Sequence, residues 1–302
     1  MPILGIIASA FRSALKAGYF GSGNTSSASI VKLTFPADTK TTLSATLTTA
    51  RSSLAGMSNV GVAGYSGGGY DGTNNLSGID KITYPADTKT TLSAVLSQAV
   101  RALGAMANSG TAGYFAGGFD ESPRTATVNK ITFPADTKTT TTALSSATSD
   151  IAGMQNGTTA GYFGGGFDTG YLSSIQKYAF PSDTKTTLVA TLSSARSATG
   201  AISDNGVAGY FAGGFNGSTN ISGIDKITFP ADSKTTLSAT LTTARRATSG
   251  TQNNGVAGYI AAGFDSGTLS GIDKITYPAD SKTTLSATLN NAGTFPSGFA
   301  NA

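Results

Sequence analysis

The sequence predicts an all-β fold: a six-bladed β-propeller of four-stranded antiparallel blades, its ring closed by the C-terminal strand in blade one. Three observations carry this. A Gly-Tyr pair recurs at Tyr19, Tyr65, Tyr114, Tyr162, Tyr210 and Tyr259, each followed within 20 residues by a Phe-Pro or Tyr-Pro and directly afterwards by an Asp-x-Lys. Successive copies lie 46 to 49 residues apart, so one unit accounts for nearly all of the 302 residues. Each unit also divides into four short segments punctuated by turn residues. A period of this length marks a repeat architecture in which each copy is one supersecondary unit.

The unit is clearest over residues 196–244. A short segment, Ala198 to Ser203, ends at Asp204-Asn205-Gly206, and Asn-Gly is a strong signal for a tight hairpin. The same dipeptide stands at Asn156-Gly157 and Asn254-Gly255. The second segment, Val207 to Ala212, is small and aromatic and stops at Gly213-Gly214; a variable loop, Phe215 to Gly223, follows. The third, Ile224 to Phe229, alternates Ile227 and Phe229 with Lys226 and Thr228. Pro230-Ala-Asp-Ser supplies a turn, and Thr236 to Thr242 then alternates Leu237, Ala239 and Leu241 with threonine and serine. A four-stranded sheet of this size cannot bury both faces alone, but six arranged in a ring each lie between two others. Small residues in the first two segments suit the crowded axis, and bulkier ones suit the diverging outer part.

The ends of such a ring must join, or a sheet edge is left open. Gly298 stands nine residues after Leu289, as Gly250 stands nine after Leu241. The simplest expectation is that Thr294 to Ala300 supplies the innermost strand of the first blade, ahead of Ala17 to Gly21. In the competing arrangement Ile3 to Ala10 is that strand and the C-terminal tail is loose. The expected division is a propeller over 16–302, with repeats starting near Gly18, Gly64, Gly113, Gly161, Gly209 and Gly258, and a separate N-terminal segment over 1–15.

Composition narrows the chemistry. The chain has no histidine, cysteine or tryptophan, and its only glutamate is Glu121. Thiol nucleophiles, thiolate metal sites, Ser-His-Asp triads and His-ligated zinc or haem are excluded. An all-oxygen calcium or magnesium site stays open, but no metal and no cofactor is expected, and the reading is of a protein that is not an enzyme. The net charge is +4, and twelve of the thirteen lysines occupy two repeat positions, with aspartates beside most of them, as in Asp225-Lys226 and Asp232-x-Lys234. These read as locally compensated, solvated charges. A nucleic-acid surface would need a patch of one sign, so no nucleic-acid partner is expected. The longest apolar run, Ile3 to Ala8, is too short to span a membrane and lacks a basic flank, so neither membrane insertion nor a signal peptide is expected.

The double glycines (Gly68-Gly69, Gly117-Gly118, Gly165-Gly166, Gly213-Gly214), the aromatic closing the third strand and the arginine after the fourth (Arg51, Arg101, Arg196, Arg245) resemble kelch and galactose-oxidase-like propellers. The resemblance spans roughly residues 16–302 and implies the fold. The usual kelch tryptophan is replaced by a leucine such as Leu188 or Leu237, and copper ligands are missing.

The opening Met-Pro-Ile-Leu-Gly-Ile-Ile-Ala-Ser-Ala is similar to the first residues of tailed-bacteriophage virion proteins, especially of marine phages, and the Gly-Tyr-Phe-x-Gly-Gly repeats also look like those of phage proteins. This implies a virion location, reached by assembly in the host cytoplasm, as a structural, tail-fibre or decoration protein. Ile3, Leu4, Ile6 and Ile7 would then bind other virion proteins, since an exposed apolar strand is a liability unless a partner covers it.

Function is expected where copies differ. The loops after the double glycines, Tyr70–Gly78, Phe119–Val128, Phe167–Ser174, Phe215–Gly223 and Phe264–Gly271, should emerge on one face, with the shorter Asn24–Ser29 in the first copy. Aromatic-acid pairs recur there (Tyr70-Asp71, Phe119-Asp120, Phe167-Asp168, Phe264-Asp265) and suit either turn capping or stacking on a sugar; their recurrence favours the turn. The irregular residues Asn74, Asn75, Glu121, Arg124, Tyr171, Asn216 and Asn220 are the candidates for ligand contact, with a host surface glycan as the expected ligand if the propeller also serves as an adhesin. A hydrolase would need paired carboxylates, and nothing marks one copy as catalytic.

Overall fold

The computed structural model describes residues 16–121 and 123–302. The first blade contains β1 (Ala17–Gly21), β2 (Ser29–Thr34) and β3 (Thr39–Thr46). The second contains β4 (Ala55–Asn59), β5 (Ala63–Gly67), β6 (Ile79–Thr83) and β7 (Thr88–Thr91). The third contains β8 (Gly104–Asn108), β9 (Ala112–Ala116), β10 (Val128–Thr132) and β11 (Thr137–Thr141). The fourth contains β12 (Ala152–Asn156), β13 (Ala160–Gly164), β14 (Ile175–Ala179) and β15 (Thr184–Thr187). The fifth contains β16 (Gly200–Asp204), β17 (Ala208–Ala212), β18 (Ile224–Thr228) and β19 (Ser233–Thr236). The sixth contains β20 (Ser249–Asn253), β21 (Ala257–Ala261), β22 (Leu269–Thr276) and β23 (Ser281–Gly293), and β24 (Ser297–Asn301) follows. Every blade is an antiparallel four-stranded sheet, and the first has the order β24-β1-β2-β3.

The C-terminal strand therefore closes the ring. It pairs Ser297 to Asn301 against Gly21 to Ala17, occupying the inner edge of β1. The arrangement with a loose C-terminal tail is overturned, and the closing strand starts three residues later than Thr294. The reason is local: Phe295 takes a positive φ of 44° and forms the turn that leads into β24. The expected anchoring segment 1–15, with Ile3, Leu4, Ile6 and Ile7, lies outside the described residues.

The hairpins between first and second strands differ from the expected tight form. Asp204 pairs with Ala208, leaving a connection of three residues in which only Gly206 has a positive φ, 82°. Asn205 needs no unusual backbone there, and the longer loop family takes a single left-handed glycine.

The recurring motif is the joint between blades. In each of the six tyrosines the hydroxyl donates to an aspartate of the following blade at 2.7–2.8 Å, from Tyr19 to Asp87 around to Tyr259 to Asp38. The third-strand lysine of the tyrosine's own blade reaches the same carboxylate at 2.6–2.7 Å, from Lys32–Asp87 around to Lys274–Asp38. The tyrosine ring stacks on the aromatic preceding the next blade's proline, as in Tyr65–Phe133 at 5.0 Å and Tyr259–Phe35 at 4.8 Å. Burial, followed by the aspartate, pushes all six tyrosine hydroxyls far above their ordinary range, so they act as hydrogen-bond donors. The glycine before each tyrosine leaves room for the neighbouring inner strand: a Cβ on Gly113 would stand 2.1 Å from Met57 Sδ. The six third-strand lysines are thus not compensated by their sequence neighbours, nor fully solvated; their side chains are 15–25% exposed and bridge blades.

A second joint is irregular. Arg51, Arg196 and Arg245 are buried and pair with Asp80, Asp225 and Asp273 at 2.9–3.0 Å. Where the arginine position holds Val100, Thr148 or Gly293, the carboxylate position holds Asn129, Gln176 or Val31. A buried charge costs several kcal/mol unless paired, so both partners change together. Arg101 does not belong to this set. It stands one residue further along the connection, and that shift places it on the loop face.

Candidate functional site

The connections that enter each blade turn back around the axis at Ser53, Ala102, Asp150, Ala198, Ala247 and Phe295, all with positive φ between 44° and 60°. Backbone amides join them into an annulus. Ala102 donates to Ser53, Asp150 to Ala102, Ala198 to Asp150, Ala247 to Ala198 and Phe295 to Ala247, at 2.6–2.8 Å, and Leu54 N to Phe295 O completes the circle at 3.3 Å. A left-handed non-glycine residue costs about 1 kcal/mol, and each amide bond here offsets that cost. Below the annulus the axis is nearly filled: an axial pocket of about 60 Å³ is lined by small residues such as Gly56, Ala105, Gly153 and Gly250. The channel is therefore too narrow to hold a sugar-sized molecule, and the open space lies at the mouth.

Around the mouth stands a rim of aromatics, Tyr70, Phe119, Phe167, Phe215 and Phe264, each bridged to the connection before its blade. Asn75, Arg124, Tyr171, Asn220 and Thr268 bridge back to those same aromatics, so they are one position in five copies. Four of the seven sequence candidates thus fall on a single ring. Asn74, Glu121 and Asn216 do not: Asn74 N donates to Asp71, Asn216 caps its own turn through Ser218 N and Thr219 N, and Glu121 is exposed on the outer loop.

The rim aromatics hold cations. Arg101 lies between Tyr70 (4.8 Å) and Phe119 (4.9 Å), and Arg124 between Phe119 (5.5 Å) and Phe167 (4.5 Å). Arg246 lies between Phe215 (4.7 Å) and Phe264 (5.0 Å). Tyr171 fills the remaining gap edge-on, 5.0 Å from Phe167 and 5.7 Å from Phe215. Side-chain amides set the orientation: Arg101 donates to Asn75 Oδ1 at 3.1 Å and Arg246 to Asn220 Oδ1 at 3.4 Å. Those amides in turn donate to the carbonyls of Phe119 and Phe264. Two aspartates of the aromatic-acid pairs, Asp71 and Asp168, cap their own turns through the amides two or three residues on, whereas Asp265 accepts from Asn220 Nδ2 at 3.1 Å.

Asp150 is the one carboxylate of the annulus. Ser149 Oγ donates to it at 2.8 Å and accepts from Arg124 Nε at 3.0 Å. Burial pushes the Asp150 carboxyl above the ordinary carboxylate range; the Ser149 hydroxyl and the guanidiniums of Arg124, Arg101 and Arg246 oppose this without cancelling it. Two open pockets meet here, both bordered by Arg124 and Asp150. One, of about 320 Å³, is closed by Tyr171, Phe215, Arg246 and Phe295, and the other, of about 290 Å³, by Arg101 and Phe119. Among the described residues no group of three or more metal-ligating side chains is present.

Arg246 and Asp150 escape the sequence reading, which also groups Arg101 with the scaffold arginines and not with the site. Counting from the buried leucine that follows the fourth strand separates the two arginine positions: Arg51, Arg196 and Arg245 stand four residues after Leu47, Leu192 and Leu241, whereas Arg101 stands five after Leu96, as Arg246 does after Leu241.

No family model and no curated protein matches the chain. Among solved structures YjhT is similar, with a TM-score of 0.72 at 15% identity, over 91% of this chain and 98% of that one. At that identity the likeness concerns the fold alone.

Proposed function

We propose that this chain is a non-enzymatic recognition propeller, an accessory component of a bacteriophage virion that binds a host surface glycan at its loop-face mouth. One observation carries the binding reading. Six copies of one blade share the same Tyr-Asp-Lys joint, yet their chemistry diverges at the mouth, where Arg101, Arg124, Asp150, Tyr171 and Arg246 each stand in a position that most copies fill with serine, alanine, asparagine or threonine. A six-fold scaffold needs no such differences for its own stability, and loops on one rim are where propellers recognise ligands. The virion reading is supported by the opening residues, through which the propeller would attach to its neighbours.

An immobilised glycan array tests the first part. The full chain is expected to bind a restricted set of glycans, with binding reduced at least tenfold by Tyr171→Ala or Asn220→Ala. Absence of any glycan signal from folded protein would refute it. Particles assembled with residues 1–15 deleted from this protein test the second: the propeller should be missing from purified virions, and its unchanged incorporation would overturn the anchoring role.

A further inference from the structure

The aromatic rim invites a sugar-stacking role, but every rim aromatic already packs against an arginine. Phe119 carries Arg101 on one side and Arg124 on the other, and Phe215 and Phe264 enclose Arg246. A guanidinium sandwiched by its faces presents its edge, and that edge is a planar row of N–H donors suited to carboxylate or sulfate oxygens. Among the described residues, the arginines that form ion pairs are Arg51, Arg196 and Arg245, not these three. Among the described residues each rim arginine makes one side-chain hydrogen bond, to Asn75, Ser149 or Asn220, which fixes its plane, and all three arginines line the open pockets. Beside three guanidiniums the pockets hold one carboxylate, Asp150.

Resting on the glycan-binding reading above, we infer that the mouth is selective for an anionic sugar residue, read by the guanidinium edges of Arg124 and Arg246 while Asp150 and Ser197 receive or share its hydroxyl hydrogen bonds. The pocket that contains all four has a volume of about 320 Å³, which fits one or two sugar rings. Arg101, in the adjoining pocket, supplies long-range attraction for the same charge and a second contact for a longer acidic chain. Recognition is thus ionic and edge-on, and the aromatics act as holders for the cations.

The test uses the full chain and oligosaccharides matched in backbone and linkage, ending in glucose, glucuronic acid or glucose 6-sulfate. Binding is expected for one or both acidic termini and at least tenfold weaker for glucose, with the two acidic arms separating carboxylate from sulfate recognition. Arg124→Gln and Arg246→Gln keep a planar amide between the rings, so melting temperature should fall by no more than about 5 °C while acidic-glycan binding falls at least tenfold. As a measurement free of mutation, wild-type affinity should drop steeply between about 50 mM and about 500 mM NaCl, because screening shortens the reach of the arginines. Equal binding of the neutral terminus, salt-independent affinity, or full binding by both glutamine variants would overturn the anionic selectivity while leaving glycan recognition standing. Failure to bind any of the three probes, together with a blank glycan array, would overturn both.

Discussion

Asp150 occupies a position that Ser53, Ala102, Ala198 and Ala247 fill elsewhere, and its φ of 55° is one that asparagine adopts readily. Because burial raises its folded-state carboxyl pKa, ionisation is harder in the folded protein than in the unfolded chain. The penalty is fully present above the folded pKa and disappears as pH falls below the unfolded value. Asp150→Asn should therefore raise the melting temperature at pH 7, and the gain should shrink toward zero in acid; thermal melts of both proteins from neutral pH to about pH 3 check the sign. A variant less stable at neutral pH would show that the three arginines need the carboxylate more than burial penalises it. A site residue that weakens its own fold is the expected mark of a functional position.

Between elements, the buried arginine joints give a sharper test, because the chain itself contains the compensated replacement. Arg196→Val removes the close cation of Asp225, which stays at zero exposure with Lys234 at 3.9 Å, and should cost about 3 kcal/mol in urea unfolding. Adding Asp225→Asn reproduces the Val100 and Asn129 pair of the third blade and should restore most of that loss. Strand number, the glycine stops and the aromatic-proline turns were legible in the sequence because they depend on local pattern. The pairing of charges was not. Asp225 and Lys226 are adjacent, so proximity along the chain suggests they compensate each other, but neighbouring residues in a strand point to opposite faces. Asp225 therefore meets Arg196, while Lys226 meets Asp280 of the next blade, 54 residues away. The rim was half legible for a similar reason: Arg124 and Tyr171 stand out as irregular loop residues, whereas Arg101 is hidden by a one-residue offset.

Across the whole molecule, closure rests on β24. Its Phe299 stacks on Tyr19 at 5.3 Å and fills the space that Gly64 leaves, so the first and second blades both depend on it. Deleting residues 293–302 should remove more than about 5 kcal/mol, enough to abolish a cooperative melt; an unchanged melt would contradict ring closure. The central claim is that a six-fold scaffold carries one asymmetric mouth which the fold does not require. Making the mouth symmetric tests it most directly, with Arg101→Ser, Arg124→Asn, Asp150→Ala, Tyr171→Asn and Arg246→Ser combined in one chain. Exposed cation–π contacts contribute about 0.5–1 kcal/mol each, so the melting temperature should fall by less than about 10 °C and the transition should stay cooperative, while glycan binding disappears. Loss of the cooperative transition, or glycan binding that survives, would contradict the account.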